Sequence, residues 1–302
     1  MNLLTRISNI GLKIALNYAF PLNGTPELIR ARFKRLTVIP KEKLISKFPR
    51  SKIEQSVMAG VPVEIIETTP DFDRIILYLH GGGYFSGSPA EYRGFLFKLS
   101  YRTKAKIVAV DYRLAPEHPF PAALSDSIKV FEELISHSVD KPIILGGDSA
   151  GGGLTLATTL SLRGNGKTIP DALFCISPWT DLLGECPSMR ANEKKDVWLS
   201  KRHVDAWAQW YCGSHDPKDS LISPIYGEYA QFPPMLILVG DQEVLFDESV
   251  KVFDKAKNAG VQVELLIGKE MQHDWLISLP WLKESKAAAK SLQQFIQRIE
   301  KV

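Results

Sequence analysis

The chain has 302 residues, 45% of them hydrophobic and 24% charged, with a formal net charge of +3. That is ordinary for a soluble protein with a sizeable core, and too nearly neutral to argue for nucleic acid or an acidic substrate. The three cysteines, Cys175, Cys186 and Cys212, are odd in number and form no CxxC, which reads as reduced thiols in a cytoplasmic protein.

The first residues, MNLLTRISNIGLKIALNYAF, carry Arg6, Asn9, Lys13 and Asn17 inside their apolar run. The spacing of Leu3, Leu4, Ile7, Ile10, Ile14 and Leu16 fits an amphipathic helix better than a signal segment. No apolar stretch is long enough for stable membrane insertion across a bilayer. From about residue 53 strands and helices alternate. Ile53–Met58 and Val61–Thr68 flank Ala59-Gly60 and predict a hairpin. Apolar runs follow at Arg74–Leu79, Lys106–Val110, Pro142–Leu145, Ala172–Ser177, Met235–Val239 and Val261–Ile267. The central ones are near-continuous, as strands buried on both faces require.

Helices fall between them. Ser88-Pro89-Ala90-Glu91 reads as a capping box with proline at the first helical position. A second helix is predicted from Leu154 onward. A third, Glu248–Ala259, has Asp247 as its cap and Gly260 as its stop. The last spans roughly Lys283–Ile299. Eight strands with interleaved helices predict an α/β fold with a mostly parallel, doubly wound sheet, its ligand site at the carboxyl ends of the strands.

Two segments stand outside this alternation. Residues 1–50 look helical, and residues 183–222 are an insert between two strands. In the insert Ser200 can cap a helix in which Val204, Trp207, Trp210 and Tyr211 share a face, stopped by Gly213. We expect 1–50 and 183–222 to form a helical cap over a core of 51–182 and 223–302. Its aromatic density suggests a pocket roof.

Gly147-Asp148-Ser149-Ala150-Gly151 lies between a strand and a helical pattern. A serine on such a strained turn needs flanking glycines, because side chains at 147 and 151 would meet neighbouring backbone. No lysine follows at the spacing of a phosphate-binding loop. His80-Gly81-Gly82-Gly83 follows the strand Arg74–Leu79. Its bare N–H groups suit an oxyanion hole of Gly82, Gly83 and the residue after the serine, Ala150. Gly81 is then a turn former and His80 a brace. Nucleophilic catalysis by serine needs a base. Of six histidines, His273 follows the last strand, where the chain order serine, acid, histidine requires it. The acid falls in Gly240-Asp241-Gln242-Glu243-Val244-Leu245-Phe246-Asp247, where spacing alone leaves Asp241 and Glu243 both open. No histidine–carboxylate cluster has metal-ligand spacing, so no metal is expected.

These runs, with Asp111-Tyr112-Arg113-Leu114-Ala115-Pro116-Glu117, Ser177-Pro178-Trp179 and Met271-Gln272-His273, resemble the hormone-sensitive lipase-like esterases, bacterial family IV, of the α/β-hydrolase superfamily, in the GDSAG subgroup. The resemblance covers most of the chain from about residue 74. It implies an α/β-hydrolase fold with a helical cap. It implies a cofactor-free serine carboxylesterase acting on short- to medium-chain acyl esters, with a small-molecule ester as its substrate. Laid on the family's Asp-Pro-Leu-x-Asp run, Asp247 takes the last position and Glu243 the catalytic one. Glu thus replaces Asp, and Val244 replaces Pro. Tyr84, Phe85, Trp207 and Tyr211 are expected to border the substrate, with Tyr18 and Phe20 as further candidates. The same scaffold also serves hydrolases of amide, formamide or thioester bonds, and non-catalytic ligand receptors. The edge strand Val261–Ile267 offers a surface for a homodimer.

Overall fold

Eight strands form one sheet in the computed structural model, which describes residues 3–21, 23–46, 48–137 and 140–301. Three helices come first: α1 Leu3–Ala19, α2 Pro26–Thr37 and α3 Lys41–Ile45. Then follow β1 Lys52–Met58, β2 Val61–Glu67, β3 Arg74–Leu79, α4 Pro89–Thr103, β4 Ala105–Val110, α5 Ala122–His137, β5 Ile143–Asp148, α6 Ala150–Gly164 and β6 Ala172–Ile176. The insert carries α7 Ser188–Ala191 and α8 Lys201–Cys212. The chain continues with β7 Met235–Gly240, α9 Phe246–Asn258, β8 Val263–Gly268, α10 Trp275–Ser278 and α11 Lys283–Gln297.

The spatial order is β1-β2-β4-β3-β5-β6-β7-β8. The β1–β2 hairpin and the β2–β4 pair are antiparallel, and every other pair is parallel. Every residue of β3, β5, β6 and β7 is buried, as parallel strands covered by helices on both faces demand. Helix α4 packs with α11, and α5 with α6, giving the two covering layers. The register brings the site together. Leu79 at the end of β3 pairs with Gly147 of β5, so the loops leaving these strands lie side by side. Gly240 of β7 pairs with Gly268 of β8, which does the same for the acid and histidine loops.

Three local expectations change. Helix α6 starts at Ala150, not Leu154. The Gly151-Gly152-Gly153 run is a poor helix former, but close packing requires it: a Cβ at Gly151 would lie 2.0 Å from the Leu79 carbonyl oxygen, and one at Gly153 2.1 Å from that of Trp179. Asp247 does not cap α9. Leu245 holds that position, and the Asp247 carboxylate accepts the Ser188 N–H at 2.7 Å, tying the helix to the insert. The Ser88 box closes differently too: the hydroxyl donates to the Glu91 carboxylate at 2.8 Å and makes no bond to the helix backbone. By contrast, the Ser200 hydroxyl caps α8 as expected, accepting from the His203 N–H.

The two segments outside the alternation meet each other. Phe20, just beyond α1, packs on Trp198 and Trp207 of the insert with ring centroids 6.1 and 5.8 Å apart. Arg30 of α2 fastens this layer to the loops that follow β3 and β4. Its guanidinium donates to the Phe85 carbonyl (2.6 Å), the Ala115 carbonyl (2.7 Å) and both oxygens of Glu117 (2.8 and 2.7 Å). This forked charge holds the Glu117 carboxyl down at about 2.

Candidate active site

Ser149 sits between β5 and α6 with φ 51° and ψ −120°, a strained conformation for a residue with a side chain. The turn is pinned from both sides. The Ser149 N–H donates to the Ile176 carbonyl at 2.8 Å, and its own carbonyl accepts the Trp179 N–H at 2.9 Å. The glycines are sterically obligatory, since a Cβ at Gly147 would stand 2.4 Å from both the Leu79 and Gly151 carbonyl oxygens.

Ser149 Oγ lies 3.0 Å from His273 Nε2, and His273 Nδ1 lies 3.0 Å from Glu243 Oε2. A carboxylate only accepts, so this network assigns the ring proton to Nδ1 and leaves Nε2 free to take the serine proton. Burial lowers the His273 pKa to about 4, which keeps the imidazole neutral at rest. Burial pushes the Glu243 carboxyl up, and the donors on its other oxygen, the Gly240 N–H and the Ser177 hydroxyl at 2.8 Å, pull it back. Asp241 is engaged elsewhere. Its Oδ1 accepts the Glu270 N–H at 2.7 Å and the Gln242 amide at 2.6 Å. Of the two acids left open by spacing, Glu243 is the one at the imidazole.

Gly82 and Gly83 line the chamber around Ser149. Their φ values of 114° and 63° are open to glycine at little cost. Ala150 opens α6, so its N–H belongs to the first turn, where no intrahelical partner exists. Gly81 has a different reason to be glycine from the one expected. Its φ is not positive, but a Cβ there would lie 2.2 Å from Asp148 Oδ2, and its N–H donates to Asp148 Oδ1 at 2.9 Å. His80 braces the loop. Its ring stacks on Tyr112 at 4.2 Å, and its Nδ1 lies 2.8 Å from the Gly81 carbonyl. Burial lowers its pKa to about 4, so it too is neutral.

The space directly at Ser149 is small, about 10 Å³, and is walled by Phe20, Phe33, Tyr92, Trp198, Leu199 and Trp207 besides the reacting residues. A cavity of about 460 Å³ shares Phe33, Tyr92, Trp198 and Asp274 with it and runs on between α2, α4 and α11. Trp207 and Phe20 therefore stand where the sequence suggested. Tyr84, Phe85 and Tyr211 do not. Tyr84 and Tyr211 stack on each other at 3.7 Å, and Phe85 packs behind Trp207 at 5.1 Å, all three buried as support for the wall. Tyr18 is exposed on the outer surface. Helical spacing identified the aromatic face of α8 but not which of its rings reaches the chamber.

Several residues of the site carried no assigned role in the sequence. Ser177 orients the acid and accepts the Asp274 N–H at 3.2 Å. Asp196 accepts the N–H groups of Trp198 (2.8 Å), Leu199 (2.9 Å) and Val244 (3.0 Å). Gln272 accepts the Val197 N–H at 2.9 Å. Insert, acid loop and histidine loop are thereby joined. Asp274, beside His273, has its Oδ2 3.3 Å from His273 Nε2. Nearby, the Asp148 carboxylate takes the Tyr78 hydroxyl at 2.5 Å. Burial and the neighbouring Asp148 both push the Asp274 carboxyl up. Among the described residues no group of three or more His, Cys, Asp or Glu side chains is placed to hold a metal ion.

Fold and site together have the layout of a serine hydrolase: a serine on a tight strand-to-helix turn after β5, a carboxylate after β7 and a histidine after β8. Comparison with known proteins agrees. A family model described as alpha/beta hydrolase fold matches residues 76–277. An esterase of Acinetobacter venetianus is 31% identical over 291 residues, covering 96% of this chain and 94% of the relative. An acetyl-hydrolase of Streptomyces hygroscopicus is 36% identical over 225 residues, covering 74% and 75%. The crystal structure of an esterase from the bacterial hormone-sensitive lipase family superposes with a TM-score of 0.86 at 32% identity, covering 97% of this chain and 98% of that one. The chain belongs to the α/β-hydrolase family and, within it, to the hormone-sensitive lipase-like group.

Proposed function

We propose that this carboxylic ester hydrolase works through an acyl-enzyme. Ser149 attacks the ester carbonyl while His273 Nε2 takes its proton and delivers it to the leaving alcohol. Glu243 holds the imidazole in the required tautomer and stabilises the imidazolium. Gly82, Gly83 and Ala150 donate to the oxyanion, aided by the N-terminus of α6. Water then attacks the acyl-serine by the same route in reverse. The observation that carries this reading is the unbroken pair of 3.0 Å contacts from Ser149 through His273 to Glu243. The run Gly147-Asp148-Ser149-Ala150-Gly151 supports assigning it to the larger, GDSAG subgroup of its family. We assign it short- to medium-chain acyl esters, because the small chamber adjoins a cavity of about 460 Å³, room for a modest acyl chain. Its three cysteines are free and buried, in keeping with a reducing, cytoplasmic setting.

The test is p-nitrophenyl butyrate hydrolysis by wild type and Ser149→Ala, with fluorophosphonate labelling alongside. Turnover should fall by on the order of 10⁶-fold and labelling should vanish. Undiminished hydrolysis by the variant would overturn the assignment. An unlabelled wild type would instead indicate a ligand receptor on the same fold.

A further inference from the structure

Helix α1 is apolar on two opposite faces. Leu16 and Ala19, with Phe20 just beyond the helix, face inward and are buried, together with the polar Thr5 and Asn9. Leu4, Ile7, Ile10, Ile14 and Tyr18 recur at three- and four-residue intervals on the other side and point into solvent, 56%, 59%, 62%, 67% and 42% exposed. A helix apolar on both faces is normally covered on both, and a continuous exposed apolar stripe marks a binding surface. The charges flanking the stripe are Arg6 and Lys13, and α1 carries no acidic residue. Arg32 lies over the Tyr18 ring at 4.8 Å, adding a third cation at one end. At the margin Trp281, half exposed, donates its indole N–H to Ser8 at 3.0 Å.

We propose that this face of α1 docks on an anionic lipid surface. An apolar stripe with a cationic border and aromatic residues at its edges is what an interfacial helix presents to headgroups and acyl chains. The charge pattern favours lipid over a second copy of the chain, since pairing two such helices would bring Arg6 and Lys13 of both copies together with no carboxylate on the helix to receive them. No described helix is long and apolar enough to cross a membrane, so the helix would lie in the interface. The placement also gives the docking a purpose that rests on the esterase reading. Phe20, where α1 ends, is a wall of the Ser149 chamber, so an ester leaving the lipid layer meets the catalytic space at the end of the docked helix.

Sedimentation with vesicles tests this, using pure phosphatidylcholine and an equimolar mixture with phosphatidylglycerol. Wild type and Ser149→Ala should both bind the mixed vesicles, and roughly tenfold or more weakly the neutral ones. The double variant Ile10→Glu, Ile14→Glu should lose binding by a similar factor while hydrolysing dissolved p-nitrophenyl butyrate at the wild-type rate. Arg6→Glu with Lys13→Glu should abolish the preference for anionic vesicles. Failure of wild type to sediment with either vesicle would overturn the proposal. So would a dimer in light scattering that the Ile10, Ile14 variant dissolves without any vesicle binding, which would assign the stripe to a second copy. Because binding is read by sedimentation with the Ser149→Ala protein as well, its failure is distinct from failure of the esterase reading.

Discussion

Glu243 differs from a solvated carboxylate in having donors on both oxygens: the imidazole on one, Ser177 and the Gly240 N–H on the other. Glu243→Gln keeps the shape but presents an amide that cannot stabilise the imidazolium, and kcat should fall by on the order of 10⁴-fold. Asp241→Asn removes only the charge of a loop side chain and should stay within about tenfold of wild type. Steady-state rates of the two variants on one ester decide between the acids, and the reverse order would move the role to Asp241. The pH dependence follows from His273. Only the neutral imidazole accepts the serine proton, and burial holds its pKa near 4. Falling pH should therefore leave kcat/KM level through the usual histidine range and reduce it only as the pH approaches about 4. A titration of p-nitrophenyl butyrate hydrolysis that halves near pH 6.5, the ordinary histidine value, would contradict this.

At the scale of elements, the insert is tied to the loop that carries Glu243. Asp196 alone satisfies three backbone N–H groups, two in the insert and one in the acid loop. Asp196→Ala would leave those donors buried without acceptors, at about 1–3 kcal/mol each. We expect a thermal midpoint lower by several degrees and a loss in kcat larger than the change in KM, because the acid loop rather than the substrate wall is released. Asp196→Asn keeps one acceptor oxygen, which can serve the Trp198 and Leu199 N–H groups but not Val244 as well, and should recover part of the stability and little of the kcat. Calorimetry with steady-state kinetics would show it, and an Asp196→Ala enzyme with wild-type kcat would mean the insert only covers the sheet. Helix starts were the least legible elements. The glycine run after Ser149 and the Asp247 carboxylate both obey tertiary demands, the first from the Leu79 carbonyl and the second from Ser188, and no local pattern carries that information.

Across the whole molecule, the strands were legible because burial on both faces makes β3, β5, β6 and β7 near-continuous apolar runs, with Arg74 and Asp148 only at strand ends. Ser149 and His273 were legible because their strand-end settings are local. Glu243 was not separable from Asp241 by spacing, since which of two nearby carboxylates turns toward the imidazole depends on the β7–β8 register. The chamber walls were harder still, because they join residues of α2, α4 and the insert that are remote in sequence. That same sheet order has a consequence for biosynthesis. The nucleophile's strand lies mid-chain, whereas the acid and the histidine follow the last two strands. As synthesis runs from the N-terminus, the ribosome makes Ser149 well before His273. On the mechanism proposed above, a nascent chain passes that interval with a serine that is present but chemically quiet, and acquires its reactivity only once β7 and β8 have been made and paired.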